Sequence, residues 1–225
     1  MSIKESILNF QEKLKGTSCQ LIAVSKTHPV ELIREAYEAG QRAFGENKVQ
    51  EMVAKQPELP ADVQWHLIGH LQTNKVKYIA PFVHLIQSID SLKLLKEVNK
   101  QAQKNERVID CLLQFFIAEE ESKFGLSLEE AQEMLRSEEY RALENVRICG
   151  VMGVATFTED QAQLKKEFST LRGYFKTIQE EFFHGAPHFK EISMGMSSDY
   201  ELAIAEGSTM VRVGSAIFGN RNYQK

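Results

Sequence analysis

The sequence predicts an α/β protein, a closed (β/α)8 TIM barrel preceded by an extra helix. Eight short apolar runs alternate with longer amphipathic stretches along the whole chain. Each run has the length of a strand buried on both faces, and each following stretch has the length of a crossover helix. No repeat, low-complexity tract or Pro/Gly-rich linker divides the 225 residues, a length that such barrels occupy as one unit. One domain over 1–225 is therefore expected.

The first sixteen residues place Lys4, Glu5, Glu12, Lys13 and Lys15 where an export signal would need an unbroken apolar run. Ile3, Ile7 and Leu14 recur at helical spacing, which makes this segment the extra helix. The strand-like runs are 21–25, 42–46, 64–68, 84–88, 109–115, 147–154, 189–194 and 210–213. Pro29 opens the first intervening helix, Leu32, Ile33, Ala36 and Tyr37 give its stripe, and Gly40 closes it. Ser127 with Glu130 reads as a capping box. Leu164, Phe168, Leu171, Phe175 and Ile178 share one face of a helix over 161–178. Ser198 with Glu201 reads as the cap of another, ended by Gly207. An open doubly wound sheet shares this alternation, but eight evenly spaced units favour closure. The stretch after the last strand is too short for a full helix, so the N-terminal helix is expected to cover that gap.

Apolar residues at 43% suffice for a continuous core, and the net charge is 27 − 31 = −4. An acidic balance without a block of Lys or Arg argues against nucleic acid and anionic membrane as partners. No stretch approaches the roughly 20 apolar residues that span a bilayer. Cys19, Cys111 and Cys149 are far apart and form no CxxC pair. Cys111 and Cys149, inside apolar runs, read as buried thiols of a reducing, cytoplasmic compartment, and neither a zinc site nor a disulfide scaffold is expected.

Chemistry in such barrels gathers where the strands end, because those loops share one mouth. Ser25-Lys26-Thr27 ends the first strand, Gly45-Glu46-Asn47 the second, Ser193 to Ser197 the seventh and Arg212-Val213-Gly214-Ser215 the eighth. Lys26 closes the run Leu-Ile-Ala-Val-Ser, so its side chain is expected in the mouth. Partial desolvation lowers a lysine's pKa and gives the neutral amine that condenses with a carbonyl. The plainer reading is a structural lysine paired with Glu46 or Asp90. The Ser-Met-Gly-Met-Ser-Ser-Asp segment and Gly214-Ser215 offer hydroxyls and backbone N–H groups for a phosphate. Each alone is a helix cap or a turn; together they form a phosphate cup facing an amine. Pyridoxal phosphate and a sugar phosphate both meet that description.

Ile-Ala-Val-Ser-Lys-Thr (22–27), Phe-Gly-Glu-Asn (44–47), Trp-His-Leu-Ile-Gly-His-Leu-Gln-Thr-Asn-Lys (65–75), Ser-Met-Gly-Met-Ser-Ser-Asp (193–199) and Val-Arg-Val-Gly-Ser-Ala-Ile-Phe-Gly (211–219) resemble the pyridoxal phosphate homeostasis proteins. These are single-domain relatives of the N-terminal barrel of alanine racemase. The resemblance implies that Lys26 carries pyridoxal 5′-phosphate as a Schiff base. It implies that Ser197, Gly214 and Ser215 hold the phosphate, that Arg212 faces the pyridine nitrogen and that Asn47 lies near the ring. Met194 and Met196 become neighbours of the ring or phosphate, although core packing explains a methionine equally well. His66 and His70 become candidates for the mouth, with a structural histidine the commoner reading. The sequence departs from the family at Phe115-Phe116, at Lys123-Phe124-Gly125 and over 150–157, after the fifth and sixth strands; Phe116 and Phe124 have no assigned role.

Arg212 can only donate and should keep the ring nitrogen neutral, which weakens carbanion chemistry. Alanine racemase works with an arginine there, but takes a second acid–base group, a tyrosine, from an additional domain of its partner subunit. None of the six tyrosines of this chain lies in the quoted motifs. The expectation is a monomeric carrier that buffers the cofactor and delivers it to apo PLP-dependent enzymes. A racemase of low activity and a cofactor-free Schiff-base aldolase are the alternatives.

Overall fold

Runs that are apolar at consecutive positions escape water only as strands covered on two sides, and that burial organises the computed structural model, which describes residues 1–119 and 124–219. The strands are β1 (Gln20–Val24), β2 (Ala43–Glu46), β3 (Gln64–Leu67), β4 (Leu85–Ile89), β5 (Ile109–Phe115), β6 (Val146–Gly153), β7 (Glu191–Met196) and β8 (Met210–Val213). Each pairs in parallel with the next, and β8 returns to β1 to close the barrel. In that closing ladder Ile22 stands opposite Arg212, and Ala23 opposite Val213.

Alternate side chains enter different apolar layers. Ile22, Ala43, Leu85, Leu112, Cys149, Met152 and Met210 fill the lumen. Their neighbours Leu21, Ala23, Phe44, Ile86, Leu113 and Val211 join the larger layer beneath the helices. Both sets are buried, which is why the strands read as continuous rather than alternating apolar runs.

The helices are α1 (Ile3–Leu14), α2 (Val30–Glu38), α3 (Val49–Lys55), α4 (Val76–Ile79), α5 (Leu92–Lys104), α6 (Leu128–Arg136), α7 (Glu138–Arg141), α8 (Gln161–Phe182), α9 (Tyr200–Ala205) and α10 (Ser215–Phe218). Ser2 and Glu5 form a capping box at the start of α1, and Ser127 and Glu130 form the expected one at α6. α1 buries Ile3, Ile7, Phe10 and Leu14 and packs on α2, β1 and the four-residue α10, where a full helix would otherwise lie. Among the described residues no helix is long and apolar enough to cross a membrane.

The sequence misplaces some boundaries. Strand β7 runs two residues later than the predicted 189–194, because Phe189 stacks against Phe175 and Phe183 and belongs to the approach, not the ladder. Ser198 does not cap α9. It is exposed, and the N-cap is Asp199, whose carboxylate accepts the Met196 N–H instead of a helical one.

Gly150 takes φ +154°, and a Cβ there would fall 1.9 Å from the Glu191 carbonyl oxygen of the paired strand. Gly150→Ala should therefore destabilise the barrel by roughly 3 kcal/mol, read from urea unfolding midpoints. A loss below about 1 kcal/mol would show that β6 and β7 can part without cost.

Candidate functional site

Ile22 and Val24 point inward from β1, and the same parity carries Lys26 into the mouth. The chain turns at once: the His28 N–H donates to the Ser25 carbonyl at 3.1 Å, and Thr27 sits at φ +67°. This is a tight turn with Lys26 at its first central position and a left-handed residue at its second. Lys26 is half-buried and lines a cavity of about 480 Å³.

The far side of that cavity comes from β7 and β8. Ser197 Oγ accepts the Gly214 N–H at 3.3 Å, so the two lie side by side, with Ser215 next in the lining. On its other side Gly214 lies against β1, where a Cβ would crowd the Val24 carbonyl oxygen at 3.1 Å. Asn47 lies at the end of β2, pressed by Gly69, where a Cβ would fall 2.4 Å from the Asn47 carbonyl oxygen. Val24, Ile68, Val154 and Met196 supply apolar walls. Among the described residues that line the cavity none is acidic. An amine at one side, hydroxyl and N–H donors at the other and apolar walls between fit a flat aromatic aldehyde bearing a phosphate.

Arg212 enters this cavity from the lumen. Its Nη1 donates to Ser193 Oγ at 2.7 Å and its Nη2 to the Gly153 carbonyl at 2.9 Å. Burial lowers its pKa to about 10, partly opposed by Asp199, so it stays cationic at neutral pH. The hydrogen bonds continue down the barrel. Ser193 Oγ donates to Gln87 Oε1 at 2.6 Å, and Gln87 Nε2 lies 3.0 Å from His66 Nδ1.

The sequence-predicted residues Lys26, Asn47, Ser197, Arg212, Gly214 and Ser215 thus share one cavity, together with Met196. Met194 does not line it. It follows the inward-facing Ser193, points the other way and is fully buried beneath the helices. His66 is also away from the mouth. It lines a separate cavity of about 310 Å³ with His84, Asp110 and Cys149, and burial pushes its pKa down to about 3, which keeps it neutral. His70 sits outside the lining, its Nδ1 3.2 Å from Asp90 and its ring stacked on the exposed Phe124 at 4.4 Å. Phe116 is exposed and lines none of this space, and Lys123 lies outside the described residues. His28, stacked on Phe218, lines the cavity although no motif signalled it, and so does Phe157, the end of the departing stretch 150–157.

Behind the lysine turn, Glu46 is fully buried and engaged by Lys55 Nζ at 2.8 Å and Ser25 Oγ at 2.6 Å, while Asp90 belongs to His70. Burial lifts the Glu46 carboxyl to about 7, against the pull of Lys55 and Ser25.

The matches to known proteins agree with this geometry. Residues 1–222 match the family model described as alanine racemase, N-terminal domain. A pyridoxal phosphate homeostasis protein of Aquifex aeolicus is 42% identical over 93% of this chain and 90% of its own. The structure of PipY of Synechococcus elongatus, solved with PLP bound, superposes with a TM-score of 0.87 at 38% identity, over 97% of this chain and 100% of that one. Alanine racemase from Bacillus anthracis shares the fold alone, with a TM-score of 0.75 at 14% identity over 99% of this chain and 56% of that one.

Glu46 binds its proton more tightly folded than unfolded, from an ordinary 4.5 up to about 7. Its contribution to stability is present below the lower value and lost as pH rises through the upper one. In thermal melts across that window, the parent's stability relative to Glu46→Gln should fall as pH rises. A difference that is flat or climbs would overturn this assignment.

Proposed function

The chain belongs to the alanine racemase N-terminal domain family and, within it, to the pyridoxal phosphate homeostasis proteins, and from that premise we propose that it binds pyridoxal 5′-phosphate as a Schiff base on Lys26. The observation that carries this reading is the sharing of one cavity, with no acidic group among its described lining residues, by the Lys26 amine and the donors of Ser197, Gly214 and Ser215. A phosphate dianion gains most where donors converge and no carboxylate repels it.

Each residue then has a physical task. Ser197, with the backbone N–H groups about Gly214 and Ser215, holds the phosphate. Arg212 faces the ring nitrogen, Asn47 stands at the ring's edge, and Val24, Ile68, Val154 and Met196 exclude water from its faces. Lys26 offers the amine that condenses with the aldehyde, releasing water.

Bound pyridoxal phosphate supplies an electron sink for bonds at an amino-acid α-carbon, most effective when its ring nitrogen is protonated. Arg212 works against that protonation, because a guanidinium has five donors and no acceptor. Racemisation also needs acid–base groups on both faces of the substrate carbon. Among the described lining residues there is neither a tyrosine nor a carboxylate, and the one imidazole, His28, is stacked on Phe218. We therefore read the protein as a carrier that buffers the cofactor and gives it up to apo-enzymes. We read it as a single domain acting as a cytoplasmic monomer.

Mixing the protein with pyridoxal phosphate, reducing with borohydride and mapping by mass spectrometry should find one phosphopyridoxyl group, on Lys26. Lys26→Ala should take up none, and an unmodified Lys26 in the parent would overturn the proposal. Arg212→Glu should shift the absorbance of the loaded protein by letting the ring nitrogen protonate. An unchanged spectrum would place Arg212 away from the ring.

A further inference from the structure

The turn that carries Lys26 is costly by itself. Thr27, a β-branched residue, occupies φ +67°, a region that favours glycine. Such backbone persists only when its surroundings over-determine it.

Three side chains do so, and none of them lines the cavity. Glu51 Oε2, from α3, accepts the Thr27 N–H at 2.9 Å. Lys55 Nζ, at the end of the same helix, donates to the Ser25 carbonyl at 3.0 Å. That ammonium also reaches Glu46 Oε1 at 2.8 Å and Glu51 Oε2 at 3.3 Å, while Ser25 Oγ donates to Glu46 Oε1 at 2.6 Å. The two residues flanking Lys26 are thus fastened, one by its N–H and the other by its carbonyl and hydroxyl, to a single ionisable cluster.

Stability alone does not account for that cluster. Glu46 is 0% exposed at its side chain and Lys55 10%. Burying such groups costs more than their mutual attraction repays unless the geometry is good, and apolar residues of similar size would join α3 to the barrel at least as well. Helix α3 already does so through Val49 and Met52. What apolar residues cannot do is accept an N–H and donate to a carbonyl on either side of one lysine.

We propose that Glu46, Glu51 and Lys55 are positioning residues for Lys26: they clamp its turn from behind the sheet, so that its amine is aimed into the cavity before any ligand arrives. The proposal rests on the reading of Lys26 as the attachment residue. The cluster acts on the bond-forming atom only through Ser25 and Thr27, and so affects how fast Lys26 reacts, not how well the phosphate is held.

The test uses the full chain. Glu51→Ala and Lys55→Met are mixed with pyridoxal phosphate, and Lys26 modification is followed in time by borohydride trapping. Affinity for deoxypyridoxine 5′-phosphate, which lacks the aldehyde, is measured alongside. The expected result is modification slower by about tenfold, near the effect of losing one hydrogen bond to a charged partner, with analogue affinity retained. The exposed pair of Lys96 with Glu139 supplies the control, and Lys96→Met should react at the parental rate. Glycine adopts Thr27's conformation without strain, so Thr27→Gly should recover part of the rate in the Glu51→Ala background. Retained analogue affinity, with thermal melts of each variant beside it, separates a clamp from general loss of stability, which would weaken both readouts together. Unchanged rates in both single variants, or a double variant as slow as Glu51→Ala, would overturn the clamp. A parent that leaves Lys26 unmodified would instead overturn the attachment reading itself.

Discussion

The pairing of β1 with β8 is the contact on which the site depends. It joins residues almost two hundred positions apart and sets Ile22 against Arg212 and Ala23 against Val213. Lys26, two residues beyond Val24, then lies across a single cavity from Gly214 and Ser215. Without closure an amine on the first strand and donors after the last two would stand at opposite edges of an open sheet. Closure is maintained by apolar burial on both sides of every strand, through a lumen cluster and a larger layer under the helices. The hydrophobic core and the ligand cavity are consecutive levels of one cylinder.

The mouth combines two electrostatic regimes. The lining carries an amine, a guanidinium, hydroxyls and backbone N–H groups and, among its described residues, no carboxylate. Directly behind the strands, carboxylates are present but occupied: Glu46 with Lys55 and Ser25, Glu51 with Thr27 and Lys55, and Asp199 with the Met196 N–H. Burial works against charge on Glu51, yet Thr27, Glu46 and Lys55 together hold its carboxyl below the ordinary range. Negative charge is thereby available to shape the backbone while staying out of the space a phosphate would enter. Strand alternation does the sorting, since Val24 and Lys26 face inward and Ser25 and Glu46 face out.

Much of this was legible in the sequence, for identifiable reasons. Continuous apolar runs bounded by polar ends gave the strands, the rule that barrel strands end at one mouth gathered their polar ends, and the family resemblance picked out Lys26, Asn47, Ser197, Arg212, Gly214 and Ser215, which share one cavity. Where legibility failed, the information was three-dimensional. Met194 lies in a recognisable motif, but its facing depends on which parity β7 adopts, and Ser193 turned out to own the inward side. Phe189 looked like strand because it is apolar, whereas its burial comes from ring stacking with Phe175 and Phe183. Nothing in the sequence singles out Lys55 or Glu51, and only the packing of α3 over the lysine turn buries Lys55. The conformation of Thr27 leaves no trace in composition, because threonine is among the last residues expected at positive φ.

The chain of contacts from Arg212 through Ser193 and Gln87 to His66 has a directional consequence. A guanidinium has no lone pair to give, so Ser193 receives from it, and the Ser193 hydrogen goes on to the Gln87 oxygen. With its oxygen turned to Ser193, the amide presents Nε2 to His66 Nδ1, and in that arrangement the imidazole hydrogen falls on Nε2. Four side chains on four strands thus share a single polarity, and it ends in an imidazole N–H that nothing among the described residues accepts.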